Sequence, residues 1–427
     1  MTYNKTEKQK KPEYYDKQSI WWRAYKIPNK QINFKIRRSK MKKKKFYEMI
    51  KISAVATSIL AISLSATACT STSAQASQTP QTPSQNTTAA INYGEIQDTH
   101  IRIEPIELTD QWDKVFPLSD EVNHRKVTFV NHFGITLAAD LYEPKEYSGK
   151  LPAIAVCGPF GAVKEQSAGL YAQEMAKRGF LAIAFDPSFT GESGGYPRAF
   201  NSPDINVEDY QAAIDFLSTQ DNVDPEQIGI IGICGWGGMA IQTAALDTRV
   251  KATASMTMYD MSRNTALGYF DSIDEEGRYN ARVAYNNQRT EDYKNGTYTM
   301  AGGLPEEAPK DAPQYVKDYI AYYKTERGYH PRSLNSNNGW AATASGCLMN
   351  MRLFEYAPEI RSAVLLVHGE DAHSLMYSQD TYELLEGDNK ELMIIPDASH
   401  TDLYDQMDII PFDKLETFFK DAFSKDA

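Results

Sequence analysis

Between residues 228 and 246 the chain passes from an apolar run, Ile228-Gly-Ile-Ile231, into a helical pattern, Met239-Ala-Ile-Gln-Thr-Ala-Ala-Leu246, through the heptapeptide Gly232-Ile-Cys-Gly-Trp-Gly-Gly238. A strand, an abrupt turn and a helix joined within so few residues leave little choice of architecture. The backbone at such a turn is strained, and the helix passes close to the strand that feeds it. Small residues are therefore needed around the turn, and glycine stands at 232, 235, 237 and 238. The residue at the apex is Cys234. A strand–turn–helix context of this kind is what makes a glycine–x–nucleophile motif credible.

Short apolar runs at 153–157, 180–185, 228–233, 252–258, 363–367 and 392–395 alternate with helical stretches near 164–178, 207–217, 377–385 and 411–423. Two paired strands, 125–131 and 134–142, precede them. Continuous apolar strands separated by helices predict a doubly wound α/β domain with a mostly parallel sheet covered on both faces. Residues 262–350 break the alternation. They are rich in Tyr, Asn and acidic residues and hold no core strand, which predicts an inserted helical cap between core segments 96–261 and 351–427. The aromatic residues of the cap line a substrate pocket or pack the cap onto the body.

With 427 residues and 42% hydrophobic content the chain can bury a large core. Its net charge of −11 hides a split: residues 1–69 carry 17 Lys+Arg against 4 Asp+Glu (+13), leaving 45 − 17 = 28 against 56 − 4 = 52 (−24) for the rest. So acidic a body argues against nucleic acid and anionic membrane surfaces as partners. The basic part reads as targeting sequence. Met41-Lys-Lys-Lys-Lys45 leads an apolar stretch that ends at Ala66-Thr-Ala-Cys69, so residues 41–69 are predicted to be a signal peptide with a lipobox-like end. Cys69 is the lipidation candidate, residues 70–95 are a Ser/Thr/Gln/Pro-rich tether, and residues 1–40 are a mis-called start or a disordered extension. The expected location is a cell-surface or periplasmic lipoprotein, with plain secretion as the alternative, and membrane contact only through that lipid or signal anchor. The four cysteines make neither a disulfide framework nor a zinc pair. Cys157 and Cys347 read as small, partly buried side chains.

Acyl transfer needs a nucleophile, a base within reach, a group orienting the base, and donors for the oxyanion. Cys234 supplies the first, and its place at a helix N-terminus predicts a lowered thiol pKa. Gly191-Glu-Ser-Gly-Gly195 matches a G-x-S-x-G pattern, but no strand leads directly into Ser193 and no helix follows. His400, in the loop after the last predicted strand, is the candidate base, with His373 as runner-up; His368, at a strand end, reads as a local hydrogen-bonding group. For the orienting acid the loop His368-Gly-Glu-Asp-Ala-His373 offers Glu370 first and Asp371 second, and Asp260 stands at the end of the preceding strand. The oxyanion donors are predicted to be the backbone N–H of Gly235 and, because Pro159 has none, that of Phe160 or Gly161. Glu165 is accounted for by a first-turn position in the following helix.

From about residue 124 to the C-terminus the chain resembles the α/β-hydrolase superfamily, and within it the dienelactone-hydrolase-like enzymes. The residues that carry the likeness are Gly232-Ile-Cys-Gly-Trp-Gly-Gly238, Phe160-Gly161, Asp186 with Gly191-Glu-Ser-Gly194, and His400. The resemblance implies a Cys-His-acid triad, no metal or organic cofactor, and a small-molecule ester, lactone or thioester as substrate. Two departures stand out: Gly158 replaces an acidic residue expected two positions before Phe160, and Ala372 occupies a place where the family tends to have aspartate. An acyltransferase, a peptidase, or a surface binding protein with a disabled site are the alternative functions.

Overall fold

The computed structural model describes residues 100–424. Cys69, the signal and tether segments and the first forty residues lie outside the described residues. Strands β1 (Val122–Val130) and β2 (Thr136–Pro144) form an antiparallel hairpin. Strand and helix then alternate: β3 (Leu151–Cys157), α1 (Ser167–Lys177), β4 (Leu181–Phe185), α2 (Pro203–Ser218), β5 (Val223–Ile233), α3 (Gly235–Leu246) and β6 (Val250–Met256). A long excursion carries α4 (Met261–Leu267), α5 (Glu275–Asn295) and α6 (Gln314–Tyr323). The chain returns to the sheet as β7 (Ala363–Gly369), α7 (Leu375–Leu384) and β8 (Lys390–Ile395), and ends in α8 (Asp402–Asp405) and α9 (Phe412–Ser424).

The eight strands form one sheet in the order β1-β2-β4-β3-β5-β6-β7-β8. The pairings of β2 with β1 and with β4 are antiparallel; all others are parallel. The parallel strands are the ones the sequence writes as unbroken apolar runs, and every residue of β4 is buried. The chain winds from β3 outward to β4, then crosses back to lay β5 on the other side of β3. Loops leaving the carboxyl ends of β3 and β5 consequently diverge, and a crevice opens between them. Cys157 pairs with Gly232 at that edge, so the residues after each strand end face one another across the crevice.

Two local features hold the sheet at this point. Helix α9 buries Phe412, Leu415, Phe419 and Phe423 on one stripe, a contact worth about 1.5–3 kcal/mol per side chain. Phe419 lies over Gly229, where a Cβ would come 2.5 Å from its ring, so glycine in β5 is required by that close approach. Beside α9, on the same face, the sheet meets α1, where Tyr171 packs on Phe412, and α1 starts at Ser167 rather than near residue 164. Lys164, Glu165 and Gln166 therefore belong to the loop after β3. This corrects the reading of Glu165 as a first-turn acid: its carboxylate is fully buried and accepts from Lys164 Nζ at 2.6 Å.

Candidate active site

Cys234 joins β5 to α3 with φ 58° and ψ −124°. A non-glycine residue in that region costs on the order of 1–3 kcal/mol and persists only where its surroundings enforce it. Here they do: Cys234 N–H donates to Met256 O at 2.9 Å, and Cys234 O accepts from Gly237 N–H and Tyr259 N–H, both at 2.9 Å. The glycines around it are needed for space. A Cβ on Gly235 would come 2.8 Å from that of Phe160, and one on Gly237 would come 2.6 Å from that of Met258. The turn that the sequence marks with four glycines is thus compressed between β6 and the loop after β3.

That loop carries Phe160, and segment 330–340 of the excursion clasps it. Gly161 O accepts from Leu334 N–H at 2.9 Å and Ser333 Oγ at 3.0 Å. Asn335 Nδ2 donates to Phe160 O at 2.9 Å, and the Phe160 ring stacks on Trp340 with centroids 4.4 Å apart. Behind the loop lies a buried ion cluster. Lys164 Nζ donates to Glu165, Asp186 and Glu192 at 2.6, 2.9 and 2.6 Å, and Arg332 reaches Glu165 at 2.7 Å. Among the described residues these three carboxylates are the grouping with metal-ligand spacing, and the Lys164 ammonium already stands between them. The ammonium neighbours hold the Glu165 and Glu192 carboxyls down to about 2 against the opposing effect of burial.

A cavity of about 70 Å³ opens at the thiol, lined by Phe160, Met261, Leu304, Trp340, Asn264, Asn335 and the rings of Tyr259, Tyr269, Tyr319, Tyr323 and Tyr404. None of these side chains is charged. Burial pushes the Cys234 thiol up, against the hydroxyls of Tyr404 and Tyr319 and the backbone N–H groups of Gly235 and Phe160, which favour its thiolate. This corrects the expectation of a lowered pKa: desolvation outweighs the donors of the helix N-terminus. The two backbone donors nonetheless face the sulfur.

His400 is 2% exposed. Its Nε2 meets the Tyr404 hydroxyl at 3.0 Å. Its Nδ1 meets Ser374 Oγ at 2.6 Å and Thr257 Oγ1 at 3.0 Å. Burial, with His373 and His368 adding to it, pushes the imidazole well below its usual range. The residues expected to orient it are elsewhere. Glu370 and Asp371 are exposed, and the inward-facing residue of their loop is Ala372, 6% exposed. The Asp260 side chain caps α4, accepting from Arg263 N–H at 2.9 Å and from Ser262 Oγ at 2.5 Å. Glu370 as the acid is therefore corrected: the loop turns its backbone inward, where Glu370 N–H donates to Ile395 O at 2.8 Å, and its carboxylate outward.

The other sequence candidates find structural employment. Ser193 donates to Asp186 O at 2.6 Å and accepts from Ala138 N–H at 2.8 Å, which ties the β4 loop to β2. His373 Nε2 meets the hydroxyls of Tyr259 and, at 3.4 Å, Tyr269. Cys157 is buried and its thiol faces Phe185 O at 3.7 Å; Cys347 faces Asn201 O at 3.7 Å. The sequence reading missed Ser374, Thr257, Tyr319 and Tyr404. Of these only Tyr404 carried a signal, four residues after His400 at helical spacing.

Residues 134–402 match the X-Pro dipeptidyl-peptidase (S15) family. An uncharacterised protein of Pseudomonas aeruginosa, PA2218, is 54% identical over 316 residues, 74% of this chain and 85% of its own. Its crystal structure superposes with a TM-score of 0.73 at 52% identity, covering 75% of this chain and 99% of that one. The uncharacterised protein YcjY of Escherichia coli is 32% identical over 292 residues, 66% of this chain and 93% of that one. A thiohydrolase of Aspergillus aculeatus is 36% identical over 138 residues, 32% of this chain and 42% of its own. The chain belongs to the S15 family and is an enzyme with the α/β-hydrolase fold.

Proposed function

We propose that this protein hydrolyses a carboxylic ester or thioester of a small, uncharged acyl group through an acyl-enzyme on Cys234. The observation that carries the reading is the strained apex residue with two backbone donors, Gly235 and Phe160, facing its sulfur. In the reaction the thiol proton passes toward His400, and the sulfur attacks the carbonyl carbon. The two N–H groups receive the negative oxygen of the tetrahedral intermediate, His400 returns the proton to the leaving oxygen or sulfur, and water cleaves the acyl-thioenzyme by the same steps. The likeness to dienelactone hydrolases supports a cysteine in the nucleophile's place, and the partial likeness to a thiohydrolase supports a thioester substrate. Release of an N-terminal dipeptide, which the family description suggests, calls for a group to receive the terminal ammonium. The cavity lining holds no carboxylate for it, which favours an uncharged acyl substrate.

The reading includes export, supported by the segment ending at Cys69; labelling with a fatty-acid probe tests it, and an unlabelled chain removes the lipid anchor. For the chemistry, p-nitrophenyl acetate offers an uncharged acyl group to the uncharged cavity lining. Wild-type turnover with selective iodoacetamide alkylation at Cys234, both lost in Cys234→Ala, is the expected result. A wild type that shows neither sinks the reading.

A further inference from the structure

Two imidazoles and several hydroxyls form a hydrogen-bonded, buried array beside the thiol. Ser374 stands at the N-cap of α7, where a serine hydroxyl ordinarily accepts from the helix backbone, yet here it makes no cap hydrogen bond. It is turned instead between two histidines, 2.6 Å from His400 Nδ1 and 2.9 Å from His368 Nε2. His368 Nδ1 continues to Ser378 Oγ at 2.7 Å, one helical turn along α7. On the other side of His400, the Tyr404 hydroxyl sits 3.0 Å from Nε2 and faces the Cys234 thiol. His368, Ser374, Ser378 and Tyr404 are all fully buried, so water does not supply these hydrogen bonds. The groups facing His400 are His368, His373, Tyr259, Tyr319, Tyr404, Thr257 and Ser374, and among the described residues no carboxylate joins them.

We propose that the catalytic array of this enzyme has no carboxylate: Ser374 positions His400 in the acid's place and links it to His368, and the Tyr404 hydroxyl carries the thiol proton to His400. The proposal rests on the hydrolase reading above. Donor counting gives the array one consistent direction. For Nε2 to accept, Nδ1 carries the proton and donates to Ser374 Oγ. Ser374 O–H then donates to His368 Nε2, whose Nδ1–H donates to Ser378. On the thiol side, S–H donates to the Tyr404 oxygen and Tyr404 O–H donates to Nε2.

In the step itself, the S–H bond breaks as the Tyr404 oxygen takes its proton, the tyrosine proton passes to His400 Nε2, and the sulfur electron pair forms the S–C bond. Collapse of the intermediate returns the proton along the same path to the leaving group, so no proton or electron is lost. Without a carboxylate beside it, the resting pair is a neutral thiol and a neutral imidazole. The burial that raises Cys234 and lowers His400 agrees with this.

The test compares wild type with Ser374→Ala, Ser374→Asp and Tyr404→Phe, with p-nitrophenyl acetate turnover and iodoacetamide alkylation of Cys234 measured against pH, and thermal melts confirming folding. In the wild type the limb on which kcat/KM rises with pH is expected well below pH 6.5. Removing the Ser374 hydroxyl is expected to lower kcat by about 10- to 100-fold with KM little changed, part of the 10²–10⁴ typical of proton transfer, because Thr257 remains on Nδ1. Ser374→Asp is expected to move the rising limb to higher pH and to speed alkylation at neutral pH, because a carboxylate makes the imidazolium–thiolate pair favourable. Tyr404→Phe is expected to lower kcat and the alkylation rate together.

A folded Ser374→Ala with wild-type kcat and pH profile overturns the role of Ser374, and a wild-type limb at pH 7 or above overturns the neutral array. An unaltered Tyr404→Phe overturns the relay. A wild type inert to both reagents overturns the hydrolase reading itself, a result separate from these three. If Ser374→Asp does not fold, the wild-type limb and Ser374→Ala decide.

Discussion

Lys164→Met tests what holds the loop after β3 in place. The side chain is fully buried, and its ammonium donates to Glu165, Asp186 and Glu192 at 2.6, 2.9 and 2.6 Å. Methionine keeps the length and removes the charge, leaving three carboxylates whose oxygens lie within 4.8 Å of one another. Lys126 still pairs with Glu192 at 2.6 Å and Arg332 with Glu165 at 2.7 Å. Asp186 keeps only backbone donors, the N–H groups of Lys164 and Glu192 at 2.8 and 2.9 Å. Breaking one partner out of a buried pair costs about 3–5 kcal/mol. At about 2–4 °C per kcal/mol for a domain of a few hundred residues, the melting temperature is expected to fall by about 10 °C.

The pH dependence fixes the cause. In the wild type the Glu165 and Glu192 carboxyls are held at about 2, so their contribution is complete above the usual carboxylate range and is lost only as the pH falls toward 2. In the variant Asp186, already raised by burial, rises further and takes up a proton on folding. The folded variant then loses stability as the pH climbs through that raised value. Melts at pH 5 and pH 8 should therefore show a smaller gap between the two proteins at pH 5. A variant within about 2 °C of wild type at pH 8 refutes the reasoning.

Other outcomes are expected at the site itself. Cys234→Ser should keep measurable acetate-ester cleavage, because the turn geometry and both backbone donors persist; loss as complete as in Cys234→Ala would show that the thiol is indispensable. Glu370→Gln should leave kcat/KM within about twofold, as for surface changes away from the chemistry; a hundredfold loss would return the carboxylate to the site. In His400→Ala, alkylation of Cys234 should follow the thiol's own ionisation and keep climbing beyond the free-cysteine pKa of about 8.5, because burial raises it. A rate that levels off below that pH contradicts the desolvation.

The sheet was legible because its strands are short apolar runs and its helices are amphipathic; β3, β4, β5 and β7 lie within five residues of the sequence reading at either end. Cys234 was legible because the strained turn forces glycine on its neighbours, and that requirement is written in residue type. The group that meets His400 Nδ1 was not. Glu370, Asp371 and Ala372 are adjacent in a loop, and which of them points inward is decided by the backbone bonds of Glu370 and Asp371 to Ile395 and Ala398. No pattern of side chains encodes that choice. Ser374 looks like an ordinary helix cap until the structure shows its hydroxyl turned away from the helix. In α6, Tyr319 and Tyr323 repeat at four-residue spacing, which announces a buried helix face without saying what it covers.

The clasp of segment 330–340 on Phe160 and Gly161 bears on how this enzyme could be remade. Asn335 holds the carbonyl of Phe160, Trp340 stacks on its ring, and Leu334 and Ser333 hold Gly161, so segment 330–340 helps to wall the cavity at Cys234. Replacing this part of the excursion would leave the loop after β3 without its brace. Point changes at Tyr259, Tyr269 and Tyr323 are therefore the expected way to reshape the cavity, with segment 330–340 left untouched.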